Sequence, residues 1–600
     1  MIMRRIPLVA VAMTALVLAA CGGGGSSGST TGGSSSGSSS GTSSSGSSSG
    51  SGSSSGTSSS GTSGGGTNAV VAGAVTTPYP TIENVAVDWA YTGDANANSV
   101  VTVRYRKNGD ATWQNGMALR NVPAGSTEGF SWANRHSGSI FNLQAATTYE
   151  IELTLTDPDG GGETRTTTVT TRAVPAPMAN APIKNATPAT LASVLSAAQP
   201  GDKIVLGAGT YSGFQIAVDG QAGKPIVISG QTGAVINGEI GIFGHDYIYL
   251  ENLNIVGRIR FNGSNNITVV RSTVQATTAL EGHGIITYTR AENAYIADNV
   301  VTGTTTWSND AMGANGNNLG EGILVTGPGH VIMNNRVSNF RDCISLLEDS
   351  EAVDQVSIDI LNNDIRQCGD DGVEADFCSQ NCRIMRNRLT DVFVALSSQP
   401  GLGGPTYFIR NAAYNVAHIP FKLYRTSYGD VVLHNTVVKN GDAFGEYAGV
   451  PVYRAYIANN LLIGGPGGTY GGYSNGSGRV IDFTYLDTAS SSIDYQAYGT
   501  TAATFSGKIG AYTFSSLSQL NTNTPEKHSI QTDLSAFAAT VSYPANPLVI
   551  NTPVDLRLSG GASPVDKGLP IANINDGYAG SAPDIGAYEF GSALPTYGPR

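Results

Sequence analysis

The sequence predicts an all-β protein in which an antiparallel β-sandwich precedes a right-handed parallel β-helix. Two patterns support this prediction. Short runs over residues 75–173 alternate apolar and polar positions, as half-buried strands do. Further along, an Asn flanked by apolar residues recurs every 24 residues or slightly more, which indicates coils stacked on one another. We predict a sandwich over 68–174, a linker over 175–187 and the β-helix over 188–600.

The N-terminus has the layout of a secretory signal peptide, predicted over 1–20. Arg4 and Arg5 precede an apolar run, and small residues lead to Cys21. The apolar run is too short for a stable membrane span. Residues 22–67 are all Gly, Ser or Thr, a composition that has no apolar surface to bury, so 21–67 is predicted to be a flexible tether.

The segment Leu18-Ala-Ala-Cys21 resembles the lipobox of bacterial lipoproteins. That resemblance implies that Cys21 is acylated and that the exported protein is anchored by lipid in the outer membrane or at the cell surface. Ordinary cleavage, with Cys21 uninvolved, is the alternative.

Charge and cysteine content limit the partners. The 600-residue chain has a formal net charge of −12, which becomes −14 without Arg4 and Arg5; this argues against general nucleic-acid binding. An anionic substrate would need a local metal ion or a few basic side chains. We expect a monomer. Four cysteines lie within one short window, and their spacing favours one or two disulfides over a zinc site. They are Cys343, Cys368, Cys378 and Cys382.

The predicted sandwich carries one local motif. The segment Leu143-Gln-Ala-Ala-Thr-Thr-Tyr149 resembles the tyrosine corner of fibronectin type III modules. In that family such a module is usually a spacer or a weak carbohydrate contact.

The β-helix prediction depends on the recurrent Asn. Its intervals are 36, 28, 24, 24, 24 and 25 residues, and the longer ones imply inserted loops. An amphipathic segment at 190–198 is predicted to be a helix that caps the open end of the stack. We interpret the Asn residues as structural, because their amides can bond along the stack. They are Asn299, Asn335, Asn363, Asn387, Asn411, Asn435 and Asn460.

A second column of residues, one strand further along each coil, holds the candidate site. Asp342, Asp370, Asp371 and Glu374 fall on adjacent coils there. Adjacent strands are about 4.8 Å apart, so these carboxylates would supply the oxygen ligands that Ca²⁺ prefers. The alternatives are a solvated acidic edge or Asp-Asp-Gly turn chemistry.

Basic and aromatic residues in the same region are candidates for catalysis and substrate binding. Lys422 lies between Phe421 and Leu423, so it should point outward on the strand face of Glu374; an ordinary surface lysine is the alternative. Arg425 could assist the leaving oxygen. The substrate-binding candidates are Arg410, His434, Tyr424 and His283. A plain surface charge is the alternative for Arg425, Arg410 and His434.

These residues together resemble the family nine polysaccharide lyases, which are calcium-dependent β-helix enzymes typified by pectate lyase. The resemblance implies that Asp342, Asp370, Asp371 and Glu374 hold Ca²⁺ and that Lys422 is the base in β-elimination on a uronate-containing polysaccharide. Two departures bear on this: Glu374 replaces an Asp of the family pattern, and the strand around Lys422 lacks the usual glycines.

Three other functions fit the sequence. A β-helix glycoside hydrolase also uses paired carboxylates, although Gly282-His283-Gly284 precedes the Asp pair here and follows it in the polygalacturonase-like hydrolases. A uronate epimerase would share the proton abstraction. A surface adhesin that binds glycans without cleaving them would fit the anchor, tether and sandwich equally well.

Overall fold

A computed structural model describes residues 67–600, which belong to the compact unit Gly64–Arg600. The predicted signal peptide, Cys21 and nearly all of the tether lie outside the described residues. Among the described residues, no helix has the length and apolar character that crossing a membrane requires.

The N-terminal part is an antiparallel β-sandwich, as the alternating runs predict. In chain order, strands one, two and seven pair with one another, as do strands four, three, eight and nine, and the pairing of strand four with strand seven joins the two groups into one seven-stranded sheet. The Tyr149 hydroxyl accepts a hydrogen bond from the Gln144 N–H at 2.9 Å, which is the bond expected of a tyrosine corner. The type III relationship stays a prediction. The strands are Val71–Thr76, Val85–Thr92, Val100–Lys107, Gln114–Val122, Gly125–Thr127, Phe130–Trp132, Arg135–Ile140, Thr148–Thr156 and Gly162–Thr170.

From Ile183 to Gln531 the chain forms a right-handed parallel β-helix, as predicted, and its first face is a sheet of 13 parallel strands. Apolar side chains from every coil fill the interior. The first strand lies inside the predicted linker, because Ile183–Ala186 pairs with Lys203–Leu206. The strands of this face are Ile183–Ala186, Lys203–Leu206, Ile226–Gly230, Ile248–Glu251, Thr268–Val270, Tyr295–Ala297, Val331–Met333, Asp359–Leu361, Cys382–Met385, Thr406–Ile409, Asp430–Leu433, Tyr456–Ala458 and Ser492–Asp494.

The second and third faces are joined by long strands that bend from one face to the other. Asp364–Glu374 and Arg388–Ser398 are two such strands, and they carry the chain into the candidate site. The strands of both faces are Gly209–Ile216, Ala234–Ile242, Asn254–Arg260, Thr273–Gln275, Ile285–Ile286, Val300–Thr302, Glu321–Val325, Arg336–Ser338, Asp342–Leu346, Asp364–Glu374, Arg388–Ser398, Ala412–Val416, Phe421–Leu423, Thr436–Val438, Leu461–Gly464, Ala497–Thr500 and Ile530–Gln531.

Short elements complete the fold. The predicted capping helix is present as Leu191–Ser196. The other elements are the α-helix Leu517–Asn523, the strands Thr469–Tyr470, Tyr473–Ser474, Ile481–Phe483, Gly507–Ile509 and Tyr512–Phe514, and the 3-10 turns Thr278–Leu280, Asn309–Ala311, Asp349–Glu351 and Leu534–Ala536.

The recurrent Asn residues form a continuous buried ladder, as predicted. Asn387, for example, donates its side-chain amide to Asn411 Oδ1 at 3.0 Å and to the Ile360 carbonyl at 2.9 Å. The ladder runs from Asn299 to Asn460 and ends on Gln496. Both members of each neighbouring pair are thereby satisfied inside the stack.

The sandwich lies on the flank of the β-helix rather than acting as a free spacer. Asp359, on the first face, is fully buried and receives hydrogen bonds from Thr81 and Asn84 of the sandwich. Arg383, also fully buried, pairs with Asp359 at 2.5 Å and donates to Ser139. A buried charged pair needs hydrogen-bond partners, and the sandwich supplies three of them through Thr81, Asn84 and Ser139. These contacts hold the two parts in one arrangement.

Candidate functional site

Strand register places acidic residues of successive coils directly above one another, in one column along the β-helix. Ile344 pairs with Val373 in the next coil, so Asp342 lies opposite Asp371. In the preceding coil, Glu321 pairs directly with Asp342. Three successive coils therefore place a carboxylate at the same position of the face.

Asp342, Asp370 and Asp371 form a compact buried group. One carboxylate oxygen from each lies within 4.8 Å of the others. The Asp371 N–H donates to Asp342 Oδ1 at 2.7 Å, whereas Asp371 Oδ1 is buried and has no hydrogen-bond partner. An orphaned buried carboxylate oxygen beside two more carboxylates fits a divalent cation with hard oxygen ligands.

Two disulfides form among the four cysteines, within the predicted range of one or two. Cys343–Cys368 ties the coil that carries Asp342 to the coil that carries Asp370. Cys378–Cys382 closes a short loop after Glu374. The first bridge therefore fixes the spacing between two of the three clustered carboxylates.

Lys422 reaches this group from two coils further along. It is in register with Ser397, which is in register with Glu374. Two coils span about 9.6 Å, and the residue in register between Lys422 and Glu374 is the small Ser397. Lys422 Nζ lies 2.5 Å from Asp371 Oδ2 and 3.9 Å from Glu374 Oε1.

Burial and mutual repulsion shift the protonation of these groups. Burial, reinforced by the neighbouring carboxylates, raises the pKa of Asp342 and Glu374 well above the usual range and that of Asp370 to about 7. Burial alone would lower the pKa of Lys422, but Asp371 and the other carboxylates outweigh it and raise that pKa well above the ordinary value. Lys422 is thus an ammonium while the carboxylates around it are charged.

Glu374, the fourth predicted calcium ligand, lies outside the compact group of the three aspartates, and its role as a ligand of that group stays a prediction. Its carboxylate groups instead with those of Glu348 and Asp376. The reason is register: Glu374 lies in the column of Ser345 and Ser397, displaced from the column of Asp342 and Asp371.

Four charged residues of the site were not identified from the sequence. The Arg341 side chain lies beside the aspartates, with its Nε 3.3 Å from Asp342 Oδ2 and its Nη2 3.8 Å from Asp370 Oδ2. Glu321, Glu348 and Asp376 extend the acidic patch. Asp376 follows Glu374 by two residues, so strand alternation could have placed both on one face. Glu348 lies on a loop beyond its strand, where alternation gives no information.

Aromatic rings border Lys422 on one side. Lys422 Nζ lies 5.5 Å from the centre of the Tyr447 ring, and Tyr424 packs on Tyr447 with ring centres 5.1 Å apart. His418 packs on Tyr447 as well, at 5.6 Å. Of these, only Tyr424 is among the predicted substrate-binding residues; the others come from positions that sequence patterns do not connect.

The sandwich reaches the other side of the site. Arg425 donates to Glu128, at the tip of the sandwich hairpin, at 2.7 Å and to Asp349 at 2.6 Å. Phe130 of the same hairpin packs on Phe377, with ring centres 5.4 Å apart. The guanidinium of Arg425 is therefore held between two carboxylates at the edge of the site, where it fixes the turn that follows Glu348.

The remaining predicted substrate-binding residues are distributed differently. His283 is part of the column, since its Nδ1 accepts the Glu321 N–H at 3.0 Å. Arg410 and His434 are not part of the site. Arg410 donates to the Ala587 carbonyl, and the fully buried His434 bonds to the Gly586 carbonyl. Both residues directly precede a ladder Asn, and that corner of the coil is covered by the C-terminal segment.

No family model and no curated protein matches the chain. Among solved structures, the family 28 exopolygalacturonase of Yersinia enterocolitica has a TM-score of 0.34 and 11% identity, over 76% of this chain and 98% of that one. The alginate lyase of Paenibacillus sp. str. FPU-7 has a TM-score of 0.22 and 13% identity, over 55% of this chain and 96% of that one. These TM-scores are too low to indicate an activity for this protein.

Proposed function

We propose that this protein is a calcium-dependent polysaccharide lyase that cleaves a uronate-containing polysaccharide by β-elimination. The observation that carries the proposal is the contact between Lys422 and Asp371, inside a buried group of three aspartates with an orphaned oxygen. A buried amine beside a cation-binding group suits proton abstraction next to a carboxylate.

Asp342, Asp370 and Asp371 would hold the calcium ion. When bound there, the ion supplies positive charge that stabilises the negative charge developing on the substrate carboxylate. Arg341 lies at the mouth of the group with its side chain 40% exposed, so its guanidinium can pair with a uronate carboxylate.

Lys422 is the proposed base. It takes the proton from C5 of the uronate, which lies α to the carboxylate; the electron pair forms the C4–C5 double bond, and the C4–O bond to the leaving sugar breaks. Lys422 must be neutral to accept the proton. Its pKa is held high by Asp371, Asp376 and Glu374, and neutralisation of these carboxylates by a cation lowers it.

The aromatic side of the site suits a sugar ring. Tyr447 and Tyr424 present their rings beside Lys422, and sugar C–H faces pack well on such rings. The leaving oxygen must also gain a proton in the overall reaction, and solvent can supply it.

A hydrolase is the second candidate. Asp370 has a pKa raised to about 7, mainly by burial, and a carboxyl group that is protonated at neutral pH can act as a general acid. The two reactions leave different products: elimination leaves an ultraviolet-absorbing double bond, whereas hydrolysis does not.

A substrate panel tests the proposal. The purified protein is incubated with pectate, rhamnogalacturonan, alginate and glycosaminoglycan chains, each with calcium and with chelator, while ultraviolet absorbance and reducing ends are followed. Absorbance that appears only with calcium supports the lyase. New reducing ends without absorbance would show a hydrolase, and no product from any polymer would favour the glycan-binding alternative.

A further inference from the structure

We propose that Glu348, Glu374 and Asp376 form a second divalent-cation site, separate from the group of Asp342, Asp370 and Asp371. One carboxylate oxygen from each of the three lies within 4.8 Å of the others. Three carboxylates at that spacing repel one another in a buried setting, and a hard cation of the calcium class matches their chemistry.

The hydrogen bonding of Asp376 independently points to a ligand. Asp376 is fully buried. Its Oδ1 accepts hydrogen bonds from the Ser397 hydroxyl at 2.6 Å and from the Gln399 N–H at 2.8 Å. Its Oδ2 is buried without any hydrogen-bond partner. Buried carboxylate oxygens are rarely left unsatisfied, and the fixed Oδ1 directs the free oxygen toward its acidic neighbours.

The backbone holds the other two ligands in place. Glu374 is the last residue of the strand Asp364–Glu374, and Asp376 lies in the turn that follows it. Glu348 comes from the preceding coil, just before the turn Asp349–Glu351. Arg425 pairs with Asp349 at 2.6 Å and so anchors that turn.

Lys422 separates the two acidic groups. Its Nζ lies 2.5 Å from Asp371 of the first and 3.9 Å from Glu374 of the second. A single ammonium therefore faces two sets of carboxylates, which it cannot neutralise by itself. A Ca²⁺ ion takes about six to eight oxygen ligands, so three carboxylates leave positions open toward the partly exposed Glu348. If the proposed lyase function holds, a uronate carboxylate of the substrate is the group that fits there.

Calcium titration without substrate tests the second site. Isothermal titration calorimetry on the wild-type protein should show two calcium ions bound per chain. Glu348→Gln should weaken one binding event at least about tenfold and leave the other, whereas Asp342→Asn should affect the complementary event. Asp376→Asn should behave like Glu348→Gln. Glu351→Gln, on the same turn but exposed, is the matched control and should retain both events.

Three results would overturn the inference. One is a single calcium ion per wild-type chain; another is two ions that neither Glu348→Gln nor Asp376→Asn affects. The third is loss of the same single event in both Asp342→Asn and Glu348→Gln. If Asp376→Asn does not fold, as judged by its thermal melting, Glu348→Gln decides alone, because that side chain is only partly buried. Since no substrate is present, failure here leaves the lyase proposal to its own test.

Discussion

Lys422 and Asp371 lie two coils apart along the β-helix, yet the Lys422 ammonium nitrogen is 2.5 Å from the Asp371 carboxylate. In the coil between them, the residue in register with Lys422 is the small Ser397. The contact joins the proposed base to the proposed calcium ligands. Changing Asp371 should therefore affect both metal binding and proton transfer, whereas a change at Lys422 that keeps the positive charge should affect proton transfer alone.

Asp371→Asn should weaken calcium binding by about a hundredfold and abolish activity. The change removes one of three clustered carboxylate ligands and the partner of Lys422. Calorimetry with calcium measures the binding. The exposed Glu351→Gln serves as control, and an Asp371→Asn variant in which every calcium-binding event keeps its wild-type affinity would rule out this residue as a ligand.

Without calcium, the carboxylate group should make the protein less stable as the pH rises. The pKa of Asp370 is raised to about 7 in the folded protein, above its value in the unfolded chain, so the folded state takes up more protons. Stability present at acid pH is then lost between about pH 4 and pH 7, by at most about 1.4 kcal/mol for each unit by which the pKa is raised. Melting temperatures in chelator at pH 5 and pH 8 measure the loss.

Asp370→Asn is the matched variant for that measurement. It should melt with a weaker dependence on pH than the wild type, and calcium should remove most of the dependence from the wild type. Identical pH profiles for the two proteins in chelator would contradict the electrostatic account.

The disulfide Cys343–Cys368 should stabilise both the fold and the metal group. It closes 25 residues, and the chain-entropy model gives about 3 kcal/mol for such a loop. Paired Ser substitutions should lower the unfolding free energy by that order and weaken calcium binding. The same change at Cys378 and Cys382, which are separated by 4 residues, should cost less; equal losses would contradict the entropic argument.

Asn387→Ala should destabilise the protein by about 2–4 kcal/mol. The substitution leaves the Ile360 carbonyl and the neighbouring ladder amides without their partners in a buried position. Chemical denaturation measures the change. Asn315→Ala, at an exposed position, should have almost no effect, and a similar loss for both variants would contradict the structural role of the ladder.

Much of the fold follows from periodicity. The spacing of Asn363, Asn387 and Asn411 predicts the coils and the ladder, because one amide per turn has to meet its neighbour. The first strand, Ile183–Ala186, is not predicted, since its partner lies across the capping helix. The docking of the sandwich is also invisible in the sequence, because Asp359 and Thr81 are 278 residues apart.

The candidate site is predictable in part for the same reason. Asp342 and Asp371 fall in register once the coils are aligned. The side of the strand on which Lys422 lies follows from strand alternation. Glu348 comes from a loop, which alternation does not describe. Arg425 pairs with Glu128 of the sandwich, a partner that the spacing of the coils does not predict. Arg410 has a charge of the right sign, but it lies at a corner that the C-terminal segment covers. Sequence spacing describes strands well and says little about what covers them.

The most direct test of the central claim is the calcium-dependent ultraviolet absorbance produced by Lys422→Arg on a polyuronate that the wild type cleaves. Arg keeps the positive charge beside Asp371 but stays protonated, so it cannot accept the C5 proton. The proposed mechanism predicts a folded protein that binds calcium and loses at least about a thousandfold in rate. Absorbance at the wild-type rate from Lys422→Arg would contradict the assignment of Lys422 as the base.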